Sequence, residues 1–241
     1  MKKILPAMAF GLIIWACGDN VTPYEINKPE LQLYYNQTHQ FEVSQANVRQ
    51  NAANFSWNSS NPAVGTVDAS GLFKGKKIGI TTITGSSGKS KVSAEVTIKP
   101  YITLCKEPVL EFGLTSTAIK SKETRTLVEE DGDGLHFKGE NANIRAIIYT
   151  MKNGKMDNAA ILLKNDNTLI PNATTFLKER YTFVGTAESV SYFSNGKNIT
   201  PTIGNDKTLG LLILYLNVTK SARVSLSDYN DAIKELKKRS F

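Results

Sequence analysis

The sequence is poor in the residues on which much redox and metal chemistry depends. Its 241 residues include only two cysteines and two histidines, which excludes a disulfide-rich scaffold. Gly-x-Ser-x-Gly, P-loop and dinucleotide-binding fingerprints are absent too. The chain is nonetheless 41% hydrophobic and 21% charged, which is typical of a folded protein long enough for two domains. We therefore expect no cofactor, no metal site and no catalytic residues.

A clustered basic surface is missing as well. The formal charge is +7, but Lys2 and Lys3 belong to a leader segment and most other basic residues are spread along the chain. The densest basic run, residues 234–239, lies at the C-terminus, where a solvated helix end accounts for it because cations are favoured there. We therefore expect no nucleic-acid partner.

The first residues have the form of an export signal. Lys2 and Lys3 precede an apolar stretch, residues 5–15, which is too short to span a bilayer as a stable helix. The stretch ends in Ile14-Trp15-Ala16-Cys17, and this pattern resembles the lipobox of lipoproteins from Bacteroidetes-type bacteria. The resemblance implies a signal peptide over residues 1–17 and a lipid-carrying Cys17.

The lipid anchor has consequences for location. Two or more acyl chains hold a protein stably on a membrane. With residues 18–24 as a tether, the protein is expected in the cell envelope, at the outer membrane. Trp15 departs from the usual small or polar residue, so an uncleaved anchor, or an ordinary signal peptide with a fortuitous cysteine, remains the alternative.

A lipidated Cys17 leaves Cys105 without a cysteine partner in the chain. We expect Cys105 to be a small buried apolar residue. The alternative is a reactive or intermolecular thiol.

Residues 25–100 alternate between apolar and polar side chains and are divided by turn signals about every ten residues. This pattern is typical of a small all-β sandwich without a helix. The predicted strands span residues 31–35, 38–44, 55–57, 64–67, 72–75, 79–85 and 91–98.

Several spaced motifs in this part resemble the bacterial Ig-like group 2 (BIG2) domain. They are Trp57 to Asp68, which includes the Asn61-Pro62 turn, then Ser70-Gly71, and then Gly79 to Thr84. Gly65 departs from the usual alanine, and Asn36 replaces the usual glycine. The resemblance implies an immunoglobulin-like spacer or adhesive module, as in intimin-like adhesins, with no catalytic residue.

Residues 101–241 are predicted to form a second, α+β domain of unknown function around an antiparallel sheet. Asn153-Gly154 is a hairpin turn signal, and Asn172 is predicted to cap a helix that buries Phe176, Leu177 and Tyr181. The predicted strands span residues 125–129, 135–137, 144–149, 156–163, 182–184, 190–193, 199–203 and 209–218. The other predicted helices are a short one ending near residue 123 and a C-terminal one over residues 226–238.

One acidic cluster, residues 129–134, offers candidate chemistry. A calcium loop or a glycosidase carboxylate pair is possible in principle. However, the spacing lacks the later EF-hand ligands, and glycosidase carboxylates normally come from separate strands. We expect a solvated hairpin turn. His39 and His136 have no companion ligands at suitable spacing and are interpreted as ordinary strand residues.

Four aromatic residues on predicted strands are candidates for stacking on sugar rings. They are Tyr34, Tyr35, Tyr192 and Phe193. Adjacent aromatics on a strand more often place one ring in the core and the other at the surface.

The sequence therefore favours a non-enzymatic envelope lipoprotein whose Ig-like spacer presents a C-terminal protein- or glycan-binding domain. The alternatives are an accessory of polysaccharide uptake and a carboxylate-dependent hydrolase. A flat apolar patch would favour protein binding, paired exposed rings would favour sugar, and a cleft with two carboxylates would favour hydrolysis.

Overall fold

The computed structural model describes residues 22–218 and 224–238. Cys17 and the predicted signal peptide lie outside the described residues. Below, residues 22–100 are called the N-terminal region and residues 101–238 the C-terminal region.

The N-terminal region is built from ten strands and one 3-10 turn at Ala52–Asn54. They pair as three sheets, with orders β1-β4-β5, β2-β10-β9-β6 and β3-β8-β7. All pairs are antiparallel except β2 with β10, which is parallel. The strands are β1 (Tyr24–Ile26), β2 (Glu30–Tyr34), β3 (Thr38–Gln40), β4 (Val43–Gln45), β5 (Val48–Gln50), β6 (Ser56–Ser59), β7 (Gly65–Val67), β8 (Leu72–Gly75), β9 (Gly79–Ser87) and β10 (Ser90–Lys99).

Aromatic rings fill the core between these sheets. Phe41 lies between Trp57 and Phe73, with ring centroids 6.0 and 6.4 Å away. Glycines make the room that these rings need: a Cβ atom on Gly65 would lie 2.2 Å from Cζ of Phe73. The departure of Gly65 from alanine therefore has a steric cause, because the Phe73 ring occupies the space of the methyl group.

The prediction of one strand over residues 38–44 is wrong. The chain leaves β3 at Phe41, whose amide donates to the carbonyl of Gly71 at 3.0 Å, and enters β4, which belongs to a different sheet. Phe41 and Val43 are both buried as expected, but in two separate clusters, against both of which Trp57 packs. Period-two alternation alone does not reveal such a switch of partner.

Within residues 101–218 and 224–238, the C-terminal region contains one eight-stranded antiparallel sheet and three α-helices. Its strand order is β11-β12-β13-β14-β18-β17-β16-β15. The elements are α1 (Ser116–Lys122), β11 (Leu127–Asp131), β12 (Gly134–Lys138), β13 (Ile144–Lys152), β14 (Lys155–Leu163), α2 (Ile170–Lys178), β15 (Thr182–Ala187), β16 (Val190–Ser194), β17 (Ile199–Asp206), β18 (Gly210–Asn217) and α3 (Leu226–Lys237).

With this strand order, the C-terminal region consists of two similar halves. Each half is a helix followed by a four-stranded meander, and the last strands, β14 and β18, pair antiparallel at the centre. Helices α1 and α2 lie on the same face, where Ile119 and Ala173 are fully buried in one cluster. The outer edges of the sheet, β11 and β15, therefore occupy equivalent positions.

Both faces of the sheet are covered over its central strands, whereas the outer strands β11 and β15 are largely exposed. Helices α1 and α2, with the segment 102–112, cover one face; α3 covers the other through Tyr229, Ile233 and Leu236. The two adjacent aromatics on β16, Tyr192 and Phe193, are consequently both buried, on opposite faces. The expectation of one surface ring is wrong here, because the sheet has no solvated face at this point.

The second helix begins earlier than predicted. Asp166 caps a 3-10 turn at Asn167–Leu169 by accepting from the Thr168 amide at 3.0 Å, and this turn continues into α2. Asn172 thus lies inside the helix, not at its cap. Phe176, Leu177 and Tyr181 are buried as expected.

The hydrophobic clusters of the two regions do not cross residue 100. The fold is mostly β, with a large antiparallel sheet in the C-terminal region. The division into two domains at residue 100 stays a prediction.

Candidate functional site

A polar network lies buried beneath the segment 102–112, which has no regular secondary structure. Arg125 contacts Glu123 at 2.9 Å and Glu140 at 2.8 Å, and it also donates to the carbonyl of Lys106. The Tyr149 hydroxyl donates to Glu123 at 2.6 Å and accepts from a backbone amide of the segment. These contacts hold the segment against the sheet.

A second part of this network is centred on Glu107. Its carboxylate accepts hydrogen bonds from the hydroxyls of Tyr181 and Tyr215 at 2.8 and 3.0 Å, while Arg180 lies 3.5 Å away. Burial and the Glu107 charge raise the pKa of both tyrosines. Every polar group named here has a partner, and these contacts hold the segment 102–112 on the sheet; Glu107 and Glu140 are 27% and 30% exposed at the margin of the network.

Cys105 lies in the same buried layer. Its side chain is 7% exposed, and burial raises the pKa of its thiol to about 12. A reactive cysteine needs an accessible site that favours the thiolate. The prediction that Cys105 is a buried apolar residue is therefore confirmed.

One turn of the N-terminal region contacts the end of α2 in the C-terminal region. The ammonium group of Lys77 donates to the carbonyls of Lys178 and Tyr181, at 2.8 and 2.5 Å, at the end of α2. The next residue, Ile78, donates its amide to the carbonyl of Glu179 at 2.9 Å, and the Glu179 carboxylate accepts from the Tyr101 amide at 2.6 Å. A cation at a helix C-terminus is favoured by the helix dipole.

A polar cleft of about 670 Å³ lies between α3 and the sheet. Its lining includes five carboxylates, but Asp231 and Glu235 contact lysines at 3.1 and 2.7 Å. Asp228 belongs to the capping box of α3, where hydrogen bonds from Ser225 lower the pKa of its carboxyl. A general acid for hydrolysis requires the opposite shift. The remaining two carboxylates are Asp133 and Asp157.

An apolar groove of about 560 Å³ lies beside the edge strand β15, next to the start of α3. Val184, Ile199 and Leu226 line it, and Lys197 is the one charged residue of the lining within the described part of the chain. Tyr192 also lines this groove and is 7% exposed; its hydroxyl has no hydrogen-bond partner among the described residues. We call this groove and the exposed side of β15 together the β15 edge.

Strand β15 is itself unusual for an edge. Within the described chain it is hydrogen-bonded on one side only, to β16. None of its six residues, Thr182–Ala187, is charged, and Phe183 and Val184 are 49% and 54% exposed. Exposed edges in native proteins are usually protected by charges, proline or bulges, and of these β15 has only the register shift between Phe183 and Gly185. The β15 edge is therefore the candidate functional site.

The equivalent edge, β11, has the opposite chemistry. Both strands contain a register shift, which leaves Val128 in β11 and Val184 in β15 outside the ladder, 57% and 54% exposed. However, β11 continues with the acidic residues of the predicted turn cluster, Glu129, Glu130 and Asp131. Charge is thus the main difference between the two edges.

The predicted acidic cluster forms the exposed hairpin between β11 and β12. Glu130 pairs with Lys120 at 2.6 Å, and the Asp131 carboxylate accepts from the Asp133 amide at 2.8 Å. No group of three or more histidine, cysteine, aspartate and glutamate side chains that could hold a metal ion occurs within residues 22–218 and 224–238. The carboxylates of this cluster therefore make contacts within the hairpin and with α1.

The histidines lie on separate strands, β3 and β12. His39 is partly buried and packs edge-on against Phe41 at 4.9 Å; burial, together with Lys28, lowers the pKa of its ring. Burial also lowers the pKa of His136. The structure does not bring them together.

Two exposed rings do meet near the junction of the regions. Tyr34 and Tyr101 stack with centroids 4.8 Å apart and are 43% and 53% exposed. Each ring therefore covers one face of the other. Tyr35 lies under Lys77, whose ammonium group is 5.9 Å from the ring centroid.

The basic run at the C-terminus is paired with acidic residues where the structure describes it. Lys237 contacts Asp206 at 2.8 Å, and Lys234 and Lys238 contact carboxylates of α3 itself. A concentrated basic surface does not result, in agreement with the interpretation of a solvated helix end. Arg239 lies outside the described residues.

Residues 20–98 match the family of bacterial Ig-like domains (group 2), which confirms the predicted BIG2 domain. Among solved structures, the chain is similar to surface layer protein SbsC, domains 4–9, at 13% sequence identity and a TM-score of 0.28. That match covers 84% of this chain but only 28% of the surface layer chain, and a similarity this low carries no argument. No curated protein matches the chain. None of the described helices is long and apolar enough to cross a membrane.

Proposed function

We propose that this is a non-enzymatic lipoprotein of the bacterial cell surface with an adhesion-type role. In this proposal Cys17 carries the lipid, the Ig-like domain is the spacer, and the C-terminal region binds a protein through the β15 edge. The observation that carries the proposal is the uncharged, exposed strand β15 with an apolar groove beside it.

The groove favours a protein over a glycan. Its lining is mostly apolar, with a single charged residue among the described ones, whereas the hydroxyl groups of a sugar cost free energy to bury unless they find hydrogen-bonding partners. The open backbone groups of an edge strand are complementary to another extended polypeptide, which adds as a further strand. A protein partner therefore uses both features at once.

The junction supports the role of the Ig-like domain as a spacer. Lys77 and Ile78 hold the end of α2 through three hydrogen bonds to backbone carbonyls. Because such bonds constrain position, the C-terminal region is held in a fixed direction relative to the Ig-like domain. A fixed direction suits presentation of a binding edge away from a membrane.

The proposal is tested by matched substitutions on the two edges. The full chain, in detergent, is used to capture envelope proteins of the bacterium that makes it, and the same protein is applied to a glycan array. We expect Val184→Lys to abolish capture and Val128→Lys, at the equivalent position of β11, to leave it unchanged. Equal capture by both variants, or array binding that both retain, would contradict a protein site at β15.

The stacked pair Tyr34 and Tyr101 is the specific observation that favours a second candidate, an accessory of polysaccharide uptake. Exposed rings can stack on sugars, although here each ring already uses one face. Loss of glycan-array binding in Tyr101→Ala would support this role.

A further inference from the structure

The segment 102–112, here called the strap, crosses one face of the C-terminal sheet without joining any of its strands. Its apolar side chains, which include the buried Leu104 and Cys105, pack on the cluster that α1 and α2 also cover. Among the described residues, every hydrogen bond to the backbone of residues 102–110 is made with a side chain. The four side chains are those of Arg125, Glu140, Asn141 and Tyr149. The strap can therefore leave the sheet without breaking a backbone ladder, which is typical of segments that open at low cost.

The residue before the strap, Tyr101, lies in the contact with the N-terminal region. Its amide donates to Oε1 of Glu179 at 2.6 Å, and the Ile78 amide donates to the Glu179 carbonyl at 2.9 Å. Glu179 is 0% exposed, its Oε2 has no hydrogen-bond partner within the described chain, and Arg180 lies 3.6 Å away. Movement of Tyr101 would remove a hydrogen bond from a buried carboxylate, which costs free energy. The contact at Glu179 therefore depends on where the strap begins.

The strap is also connected to the end of α2 through Glu107. The Glu107 carboxylate accepts from the Tyr181 hydroxyl at 2.8 Å, while the Tyr181 carbonyl accepts from Lys77 of the N-terminal region at 2.5 Å. Arg180 lies between two carboxylates, 3.5 Å from Glu107 and 3.6 Å from Glu179. The end of α2 therefore contacts both the strap and the N-terminal region.

We propose that the strap is a conformational device that responds to the position of the N-terminal region. The strap is closed over the sheet while Lys77 and Ile78 contact the end of α2. When they leave, the contacts of Tyr101 and Glu107 with α2 weaken and the strap opens. A pulling force or a partner that displaces the N-terminal region then exposes the apolar cluster beneath the strap. This coupling does not involve the β15 edge, so its test is independent of the proposed function.

Cys105 reports on the strap directly, because its thiol is buried in the closed state and reacts only when the strap opens. The full chain in detergent is alkylated with iodoacetamide under native conditions. The peptide that contains Cys105 is followed by mass spectrometry, so Cys17 does not interfere. We expect Lys77→Met to raise the alkylation rate of Cys105 at least about fivefold, the lower end of typical coupling between two sites. Lys76→Met, at the exposed neighbouring residue, should leave this rate unchanged.

A matched pair of tyrosines tests whether the end of α2 is the connection. Tyr181 and Tyr215 both donate to Glu107, but of the two only Tyr181 also contacts Lys77. Substitutions at coupled positions are not additive. Tyr181→Phe should therefore reduce the effect of Lys77→Met on the alkylation of Cys105, whereas Tyr215→Phe should leave that effect unchanged. An equal reduction in both backgrounds would overturn the end of α2 as the connection.

The reverse effect gives a second measurement, because coupling between two sites is reciprocal. The Tyr149 hydroxyl accepts from the Val109 amide of the strap, a contact that does not involve α2. Tyr149→Phe should speed alkylation of Cys105, and the Ile78 amide should lose part of its protection from hydrogen exchange. The amides of β14 and β18 monitor unfolding of the whole sheet in the same experiment.

Equal alkylation rates of Cys105 in Lys77→Met and Lys76→Met would overturn the coupling. Unchanged exchange at Ile78 in Tyr149→Phe, together with faster alkylation, would overturn it too, since the strap would then open by itself. Exchange in β14 and β18 that accelerates as much as exchange at Ile78 would show that the strap opens only with the whole sheet. That result would also contradict a separate device.

Discussion

The two regions of this protein are stabilised in different ways. The N-terminal region has short strands around a core of rings, in which glycines such as Gly65 make room for neighbouring side chains. The C-terminal region has one large sheet and buries charged groups, including Glu123, whose side chain is 1% exposed. Close packing of rings against glycines therefore stabilises the first region, and buried polar contacts such as Arg125–Glu123 help to stabilise the second.

The largest loss of unfolding free energy is expected when Arg125, in the C-terminal region, is substituted. Arg125→Met keeps most of the side-chain volume but leaves the buried Glu123 carboxylate without its cation. Removal of one partner of a buried ion pair costs about 3–5 kcal/mol. Denaturant unfolding measures this loss; Lys122→Met, which removes an exposed contact with Glu111, serves as the control and should cost at most about 0.5 kcal/mol.

The Glu123 carboxyl group also predicts that the unfolding free energy depends on pH. Burial raises the pKa of Glu123, but the Tyr149 hydrogen bond and the Arg125 charge outweigh it, and the net pKa is lowered. A carboxyl whose pKa is lowered by folding stabilises the fold above its ordinary pKa of about 4.3 and loses that contribution as pH falls through the folded pKa. Unfolding free energy should therefore fall more steeply in acid for the parent chain than for Arg125→Met. Equal slopes would show that Glu123 is not the titrating group.

A smaller effect, of steric origin, is expected in the N-terminal region. Gly65→Ala places a methyl group against the Phe73 ring, and overpacking of this kind costs about 1–3 kcal/mol. Phe73→Leu in the same chain should recover part of this loss, so the two substitutions are not additive. Strict additivity in a double-mutant cycle would mean that the ring does not limit position 65.

The contact between the two regions at Lys77 should contribute less to the free energy of unfolding. Lys77→Met removes a cation from the carbonyls at the end of α2, and such contacts contribute up to about 2 kcal/mol when partly buried. Hydrogen exchange should show faster opening at the end of α2 without a change in the sheet. Lys76→Met, at the exposed neighbouring residue, should change neither the unfolding free energy nor hydrogen exchange at the end of α2. The same result for both variants would show that Lys77 does not stabilise the contact between the regions.

The smallest effect is expected at the C-terminal helix. Lys238 contacts Glu235 in an exposed pair, and Lys238→Gln should change the unfolding free energy by less than about 0.5 kcal/mol. Thermal unfolding is the measurement. A loss above about 1 kcal/mol would show that the basic run does more than end a helix.

In the N-terminal region the sequence predicted the strands whose determinants are local, but it did not predict β1 and β5. Trp57, Asn61-Pro62 and Gly71 stand at characteristic spacings, and the turns at Asn61-Pro62 and Gly71 follow from their own side chains and backbone freedom. The switch between sheets at Phe41 was missed, since the choice of partner strand depends on hydrogen bonds to Gly71 and Asn27, far from it in the chain.

The C-terminal region was predicted element by element but not as a whole. The strands and helices follow from hydrophobic periodicity, whereas the two similar halves became evident only from the strand order. The junction residue Lys77 gave no signal, because its partners are backbone carbonyls near residue 180. One signal for the β15 edge was present: six consecutive uncharged residues in a strand, opposite in character to the acidic residues 129–131.

The most direct test of the account is labelling of Val48→Cys on intact cells with a maleimide that does not cross membranes. Val48 is 62% exposed, while Cys105 is buried and Cys17 is blocked if it carries lipid. The account predicts rapid labelling of the variant and none of the native parent chain. Labelling only after the cells are broken, or labelling of the parent chain before denaturation, would contradict a lipid-anchored protein at the cell surface.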